Sequence, residues 1–492
     1  MMILNRRLAL PALLALSLSF APAEARPPET PSSQSVAEQK LVDRPAGSRI
    51  GLLVTTMEGE TLVSITPDQR FIPASNTKMF TTAIGYAQLP LLERTAKGTG
   101  VRLETSKGAT DVVLHGRGDP RLSSAEDCVQ NCLQMLADAV AHTTRHVRHV
   151  IGDDSWLPDE RWSPGMSWNN IQSRYGTATS ALTLDDNELV VTLAPGVVGA
   201  AASLKSTAYY DIENRVVTVT GKEEAVVADR MTNSRTLRLT GTIGAEAPAM
   251  TLRYGIDDPA HFAAWRLREL LRARGVRVDG DIDVRRRPLT PADDPKARGT
   301  TPFVQPPEPT AMLAELKPQP LAENMIRINK ESQNLHSELM LRRVSRQSGS
   351  GSIADGQAVM RQLMTEAGVV ETSYDFSDGS GMSTYNRITP RAAVGLLTWI
   401  ARQPWGGAWR DTLPIAGRDG TLQNRFKGTL LEGKLFAKTG SLNASRALSG
   451  YMVTRSGRPL IFSVLANDMP NGTDSQATAA VDRMLVAIAE AL

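Results

Sequence analysis

The chain has 492 residues, of which 41% are hydrophobic and 22% charged, with 55 Lys+Arg against 52 Asp+Glu. A single core does not grow to that size, so several units are expected, and the composition excludes global disorder. A formal charge of +3 without a long basic block gives no reason to expect nucleic acid as a partner.

In chain order, Arg6 and Arg7 precede an apolar stretch from Leu8 to Ala21, too short to cross a bilayer comfortably. Ala21-Pro22-Ala23 and Ala23-Glu24-Ala25 are small-x-small cleavage signals, so residues 1–25 are expected to be a secretory signal peptide. Cleavage after Ala25 removes two Arg and one Glu, giving a net charge of 3 − 2 + 1 = +2. Residues 50–56 and 61–65 read as a hairpin turning at Glu58-Gly59. Pro73-Ala74-Ser75 then leads into a helix over 79–89. Strands are expected at 101–104, 112–115 and 149–152, with a helix at about 125–141 between the last two.

That helix carries the only two cysteines, Cys128 and Cys132. Export permits a disulfide, but four-residue spacing on a regular helix gives poor bridging geometry, so bridged and reduced states both remain open. His142, His146 and the nearby His149 raise a zinc site. The gap from Cys132 to His142 is shorter than the usual finger spacing, and Thr143 stands where a His-Glu-x-x-His peptidase needs its Glu, so no metal is expected.

A loop rich in Trp and Pro follows, from Trp156 to Trp168. Strands come at 188–193, 216–220, 236–239 and 250–254, and a helix at 259–273. Arg285 to Arg287 reads as a solvated loop or strand end, and the proline-rich 288–309 as a connection between units. Helices over 321–330 and 335–345 meet at Glu331-Ser332-Gln333-Asn334, and another covers 391–402. Strands at 434–437, 447–453 and 460–466 precede an amphipathic terminal helix over 474–492.

Three short motifs carry the chemistry. Ser75-Asn76-Thr77-Lys78 begins a helix, Ser332-Gln333-Asn334 lies between two helices, and Lys438-Thr439-Gly440 ends a strand. A serine hydroxyl is a weak nucleophile that needs an adjacent base. At i and i+3, Ser75 and Lys78 share a helix face. Lys78 accepts a proton only if burial or a neighbouring cation such as Lys438 lowers its pKa. Each motif alone is weak: Ser167-Trp168-Asn169 and Ser441-Leu442-Asn443 also match Ser-x-Asn, and the plain alternatives are two helix caps and a solvated lysine. Their order, each on the kind of element it needs, sets those alternatives aside.

The three motifs are those of the serine penicillin-recognising enzymes. The gap from Ser75 to Ser332, 332 − 75 = 257 residues, is far longer than in class A β-lactamases. With it, the chain resembles the D-alanyl-D-alanine carboxypeptidase/endopeptidase family, the class C low-molecular-mass penicillin-binding proteins (peptidase S13). Gly118-Asp119-Pro120, the run from Ile151 to Trp156, the run from Ser180 to Asn187, Asp378 to Ser383, Asn386 to Pro390, and Leu448 to Tyr451 are similar to family stretches. His336-Ser337 and Arg446 depart from the pattern.

The resemblance implies an α+β fold: a split β-lactamase/transpeptidase-like domain with an antiparallel sheet flanked by helices (26–88 and 305–492). A large, mostly β insertion (89–304), expected to form two small subdomains, separates the first two motifs. It implies a periplasmic serine enzyme without cofactor or metal that removes D-Ala from peptidoglycan stem peptides and cuts cross-linked muropeptides, with β-lactams as covalent inhibitors. Ser75 is then the nucleophile, Lys78 its base, Ser332 a proton relay and Asn334 a contact to the substrate amide. Lys438, Thr439 and Gly440 hold the substrate end, and the backbone N–H groups of Ser75 and Ser441 form the oxyanion hole. Asp378 to Ser383 and Gly417 to Thr421 read first as tight turns and second as cleft walls. Peripheral membrane contact and oligomeric state are left open. A β-lactamase-like hydrolase and a silent peptidoglycan-binding scaffold are the competing readings.

Overall fold

The structure, a computed structural model, describes residues 33–309 and 311–492; the expected signal peptide lies outside the described residues. Five antiparallel strands form the central sheet, in the order Leu435–Leu442, Ser445–Val453, Pro459–Asn467, Arg49–Thr56 and Thr61–Ile65. Leu53 lies opposite Ser463, which joins the N-terminal hairpin to the C-terminal meander across more than 400 residues.

The period-two pattern of these strands feeds two cores. Ile50, Leu52, Val54, Phe462 and Val464 pack on one face with the helix Asp474–Ala491. Leu53, Ile461 and Leu465 pack on the other with Phe80, Ile84, Met340 and Leu396 from the helices Thr77–Ala87, Asn334–Ser345 and Pro390–Ala401. Burial on both faces explains why Arg49–Thr56 and Pro459–Asn467 read as nearly continuous apolar runs.

Between the hairpin and the later helices lies a β-rich unit. Its largest sheet runs Ile282–Arg287, Val150–Pro158, Ala109–His115, Gly100–Ser106 and Ala314–Glu315. Two three-stranded sheets accompany it: Met250–Gly255, Glu188–Ala194 and Ser203–Ser206, then Glu224–Asp229, Thr236–Gly244 and Asp211–Val219. One apolar cluster spans all three sheets, including Leu114, Val150, Leu189, Val216, Leu239 and, from the helix Pro259–Ala273, Leu267. Ala314 lies opposite Val101, so this sheet takes its edge strand from beyond residue 304. No helix among the described residues is long and apolar enough to cross a membrane.

Several local expectations are corrected. The helix expected over 125–141 begins only at Leu133, with extended Cys132 as its cap (φ −95°, ψ 127°). Cys128 and Cys132 are bridged in the preceding loop, where their Cα atoms lie 5.8 Å apart, so the geometric objection of a regular helix does not apply. Lys438-Thr439-Gly440 does not end a strand but lies within Leu435–Leu442. The strands Ser203–Ser206 and Glu224–Asp229 and the helix Ile353–Glu366 were not expected. Ser203–Ser206 is short and polar, Glu224–Asp229 is largely exposed although four of its six residues are apolar, and the helix opens on a Ser352 cap accepting from the Asp355 N–H.

Candidate active site

Pro73 leads into a single tight turn, Ala74–Asn76, which runs into the helix Thr77–Ala87. The turn lies against the edge strand Leu435–Leu442, and the Asn76 amide ties the two by donating to the Lys438 carbonyl (2.8 Å). Contact is close enough to dictate residue type. A Cβ on Gly440 would stand 2.6 Å from the Pro73 carbonyl oxygen, and one on Gly381 1.9 Å from that of Ala74. Gly381 also has φ +87°, a left-handed conformation that favours glycine. Ala74 (φ 48°) and Ser332 (φ 60°) hold the same region without being glycine, each at a motif, and such strain persists only where surrounding structure enforces it.

Ser75, Lys78, Ser332, Asn334, Lys438 and Thr439 are brought into one cleft by four elements. Lys78 is fully buried and its Nζ donates three hydrogen bonds: to Ser75 Oγ (2.9 Å), Asn334 Oδ1 (2.6 Å) and the Ser380 carbonyl (2.6 Å). Asn334 is held in that orientation because its amide nitrogen donates to the Tyr175 carbonyl (2.8 Å) of the β-rich unit. Lys438 Nζ, also fully buried, donates to Ser332 Oγ (3.0 Å) and the Thr439 carbonyl (2.9 Å). Gly440 is buried and Ser441 exposed on the same edge strand, which has no neighbour on the cleft side among the strands of its sheet.

Burial lowers the Lys78 pKa to about 7, against the opposing pull of Asp378 and Glu338. The sequence reading gave Lys438 a share in this; burial accounts for it instead. Lys438 is itself held well below the usual lysine range, by burial first and then by the charge on Lys78. Glu338 is pushed up to about 7 by burial and by Asp378.

Sequence reasoning missed Glu338 and singled out Thr421 only as part of a turn. Glu338 Oε1 accepts from the N–H groups of Gly379 (3.1 Å) and Ser380 (2.8 Å), which sets the Ser380 carbonyl that Lys78 reaches. Its signal was available: it lies four residues after Asn334, on the same helix face. Thr421 Oγ1 lies 2.7 Å from Thr439 Oγ1, beside a cavity of about 260 Å³ that Gly440, Ser441, Arg425 and Arg446 also line. Thus the segments Asp378 to Ser383 and Gly417 to Thr421 each combine a glycine turn with a cleft contact. The two departures from the family pattern are both paired. His336 Nε2 lies 2.7 Å from Asp186 Oδ1, and Arg446 pairs with Asp474 (2.8 Å). The histidines weighed for zinc have partners of their own: His146 pairs with Asp279, His149 lies by the Asp281 carbonyl, and His142 by the Asp138 carbonyl of its own helix.

Residues 33–491 match the D-Ala-D-Ala carboxypeptidase 3 (S13) family. A D-alanyl-D-alanine carboxypeptidase of Actinomadura sp. (strain R39) is 32% identical over 438 residues, covering 85% of this chain and 77% of that one. D-alanyl-D-alanine carboxypeptidase DacB of Haemophilus influenzae is 22% identical over 457 residues, 88% of each chain. The crystal structure of penicillin binding protein 4 (dacB) from Haemophilus influenzae has the same fold, with a TM-score of 0.74 over 91% of this chain and 97% of that one at 19% identity. The α+β architecture, the three motifs in their order and the match along nearly the whole described chain converge: this chain belongs to the D-Ala-D-Ala carboxypeptidase 3 (S13) family of serine peptidases.

Proposed function

We propose that the protein is a periplasmic serine-type D-Ala-D-Ala carboxypeptidase with DD-endopeptidase activity, in which Ser75 is acylated by stem peptides and by β-lactams. The observation that carries this reading is the environment of Lys78. A neutral lysine amine has two N–H bonds and one lone pair. Asn334 Oδ1 and the Ser380 carbonyl are acceptors only, each 2.6 Å away, so they take the two hydrogens and leave the lone pair for the Ser75 hydroxyl. With its pKa brought to about 7, a large fraction of Lys78 is in that form at neutral pH.

Ser75 then attacks the carbonyl of the penultimate D-Ala as its proton passes to Lys78. The N–H groups of Ser75 and Ser441 face the developing oxyanion. Ser332 accepts a hydrogen bond from Lys438, which frees its own O–H to donate to the departing amine. Because Lys438 is fully buried, the hydroxyls of Thr439 and Thr421 meet the terminal carboxylate, with Lys438 behind them. Water then cleaves the acyl-enzyme. We read residues 26–88 and 305–492 as the catalytic domain and 89–304 as its insertion, with the strand Ala314–Glu315 crossing that boundary to complete the insertion's sheet. The Cys128–Cys132 bridge favours an oxidising compartment, in keeping with export.

The test is fluorescent penicillin labelling of wild type and Ser75→Ala, followed by mass analysis of cross-linked muropeptides. Labelling lost in the alanine variant, with D-Ala release and loss of cross-links by wild type, supports the reading. Labelling of Ser75→Ala, or rapid penicillin turnover without D-Ala release, refutes it.

A further inference from the structure

Away from the catalytic cleft, a cavity of about 560 Å³ opens between the largest sheet of the β-rich unit and the segment from Pro306 to Pro309. Its size lies within the range of small-molecule sites. Arg102, His115, Asp153, Trp156, Glu308 and Arg346 supply its polar and aromatic lining, and Leu103 and the prolines its apolar part.

The carboxylates in this wall are already engaged. Asp153 Oδ1 accepts from the Ser155 hydroxyl (2.6 Å), and its Oδ2 accepts from Arg102 (3.2 Å) and faces His115 Nδ1 (3.3 Å). Glu104 accepts two bonds from Arg285 (2.8 and 2.5 Å) and one from Arg102 (2.9 Å). The buried donors left without a partner in the lining are Arg102 Nη1 and Arg346 Nε, whereas His115 Nδ1 faces Asp153. The two arginine atoms are donors only. The Arg346 side chain is 8% exposed, so water reaches it poorly. Arg346 is also stacked over Trp156 at 4.4 Å, which fixes its guanidinium against the aromatic wall.

Unpaired buried donors without matching unpaired acceptors call for an acceptor-rich ligand. The protein itself shows which kind. The Glu308 carboxylate, carried on the segment that borders the cavity, reaches three cations: Arg117 (3.0 Å), Lys97 (3.7 Å) and Arg346 (3.9 Å). A chain carboxylate has settled beside the cavity where the cations gather, while donors deeper in the wall remain free.

We propose that this cavity is a second binding site, for a small oxyanion-bearing ligand whose carboxylate or phosphate pairs with the guanidinium groups of Arg102 and Arg346 while its carbon part lies against Trp156 and the prolines. The site is separate from the catalytic cleft. Arg346 follows the C-terminal end of the helix Asn334–Ser345 and Asn334 begins it, so the two ends stand about 18 Å apart along the axis. The same helix links the two sites, which gives occupancy of one a rigid route to the other.

Two sources share this chemistry, a carboxylate-rich cell-wall peptide and a free oxyanion, and the experiment separates them. Calorimetric titration of the full protein uses two probes: the tripeptide L-Ala-γ-D-Glu-meso-diaminopimelate, which has no D-Ala-D-Ala end, and inorganic phosphate. Each is repeated with Arg346→Gln, Arg346→Lys and Arg102→Gln. Binding of the tripeptide that weakens about tenfold or more in Arg346→Gln and recovers in part in Arg346→Lys supports the site with a cell-wall peptide as its ligand. The same pattern for phosphate, with the tripeptide no tighter, supports the site with a free oxyanion. If Arg346→Gln lacks a cooperative melt, Arg102→Gln carries the comparison. Absence of binding by both probes, or binding unchanged in every folded variant, overturns the proposal. Penicillin labelling of Ser75 is read in parallel and is retained in these variants, so failure here is distinguishable from failure of the catalytic assignment.

Discussion

The burial of Lys78 makes a quantitative prediction about acylation. A lysine with its ordinary pKa of 10.5 would be about 0.03% neutral at pH 7, whereas one brought to about 7 is roughly half neutral. If Lys78 is the base, the acylation rate follows its neutral fraction: about 9% at pH 6 and about 91% at pH 8, a rise of about tenfold that levels off above pH 8. The assay is the second-order rate of covalent labelling by a fluorescent penicillin, whose carboxylate stays ionised across the range, from pH 5.5 to pH 9.5. Quenched samples are read on a gel, and the pH stability of the fold is checked in parallel. A flat profile between pH 6 and pH 8 would sink the argument. So would a rate that climbs only above about pH 9, because it would mean that Lys78 keeps the pKa of a solvated amine.

Glu338→Gln keeps an acceptor for the Gly379 and Ser380 N–H groups but removes a charge that raises the Lys78 pKa, so the inflection of the same profile should move to lower pH. An upward shift would contradict the assigned sign. Because folding lowers the Lys78 pKa, the unfolded chain binds the extra proton between about pH 7 and 10.5, and this group's contribution to stability rises with pH across that window. Urea unfolding should therefore show a rise in wild-type stability relative to Lys78→Met on the order of 3 kcal/mol from pH 7 to pH 9.5; parallel pH dependences would count against it. Gly381→Ala puts a Cβ 1.9 Å from the Ala74 carbonyl oxygen at a left-handed position, and should cost about 2 kcal/mol or more and slow labelling of Ser75. A variant that labels and melts like wild type would refute that packing argument. Replacing both cysteines with serine opens a loop of sequence separation 4 and should cost about 2 kcal/mol by the chain-entropy relation, read as a lower Tm with labelling unchanged.

The parts of the site that were legible in the sequence are those with local rules. Ser75 and Lys78 sit at helical spacing, Ser332 to Asn334 at a helix start, and strongly periodic elements such as Pro259–Ala273 and Leu321–Lys330 have the extents expected. The strand Leu435–Leu442 reads as ending at 437 because Thr439, Gly440 and Ser441 lack apolar alternation. They face a cleft and a close-packed turn rather than a core, so the hydrophobic signal stops where function begins. Cys128 and Cys132 read as part of a helix that in fact starts later, and only three-dimensional geometry decides their state. Main-chain partners such as the carbonyls of Ser380 and Tyr175 leave no mark, because any residue type supplies a carbonyl. Thr421 reaches Thr439 only through the fold of an intervening loop.

The hydrogen bond from Asn334 to the Tyr175 carbonyl has a consequence for how this architecture can change. The Asn334 amide beside Lys78 is clamped by a backbone atom belonging to the β-rich unit, not to the unit that carries Ser75. A twist of that unit releases the clamp, lets the amide turn, and replaces an acceptor beside Lys78 with a donor. Trimming the insertion to a short loop would therefore do more than remove surface area: it would free the Asn334 amide that lies beside Lys78. The Tyr175 carbonyl thus ties the β-rich unit to the surroundings of Lys78, with no side-chain signature to betray it.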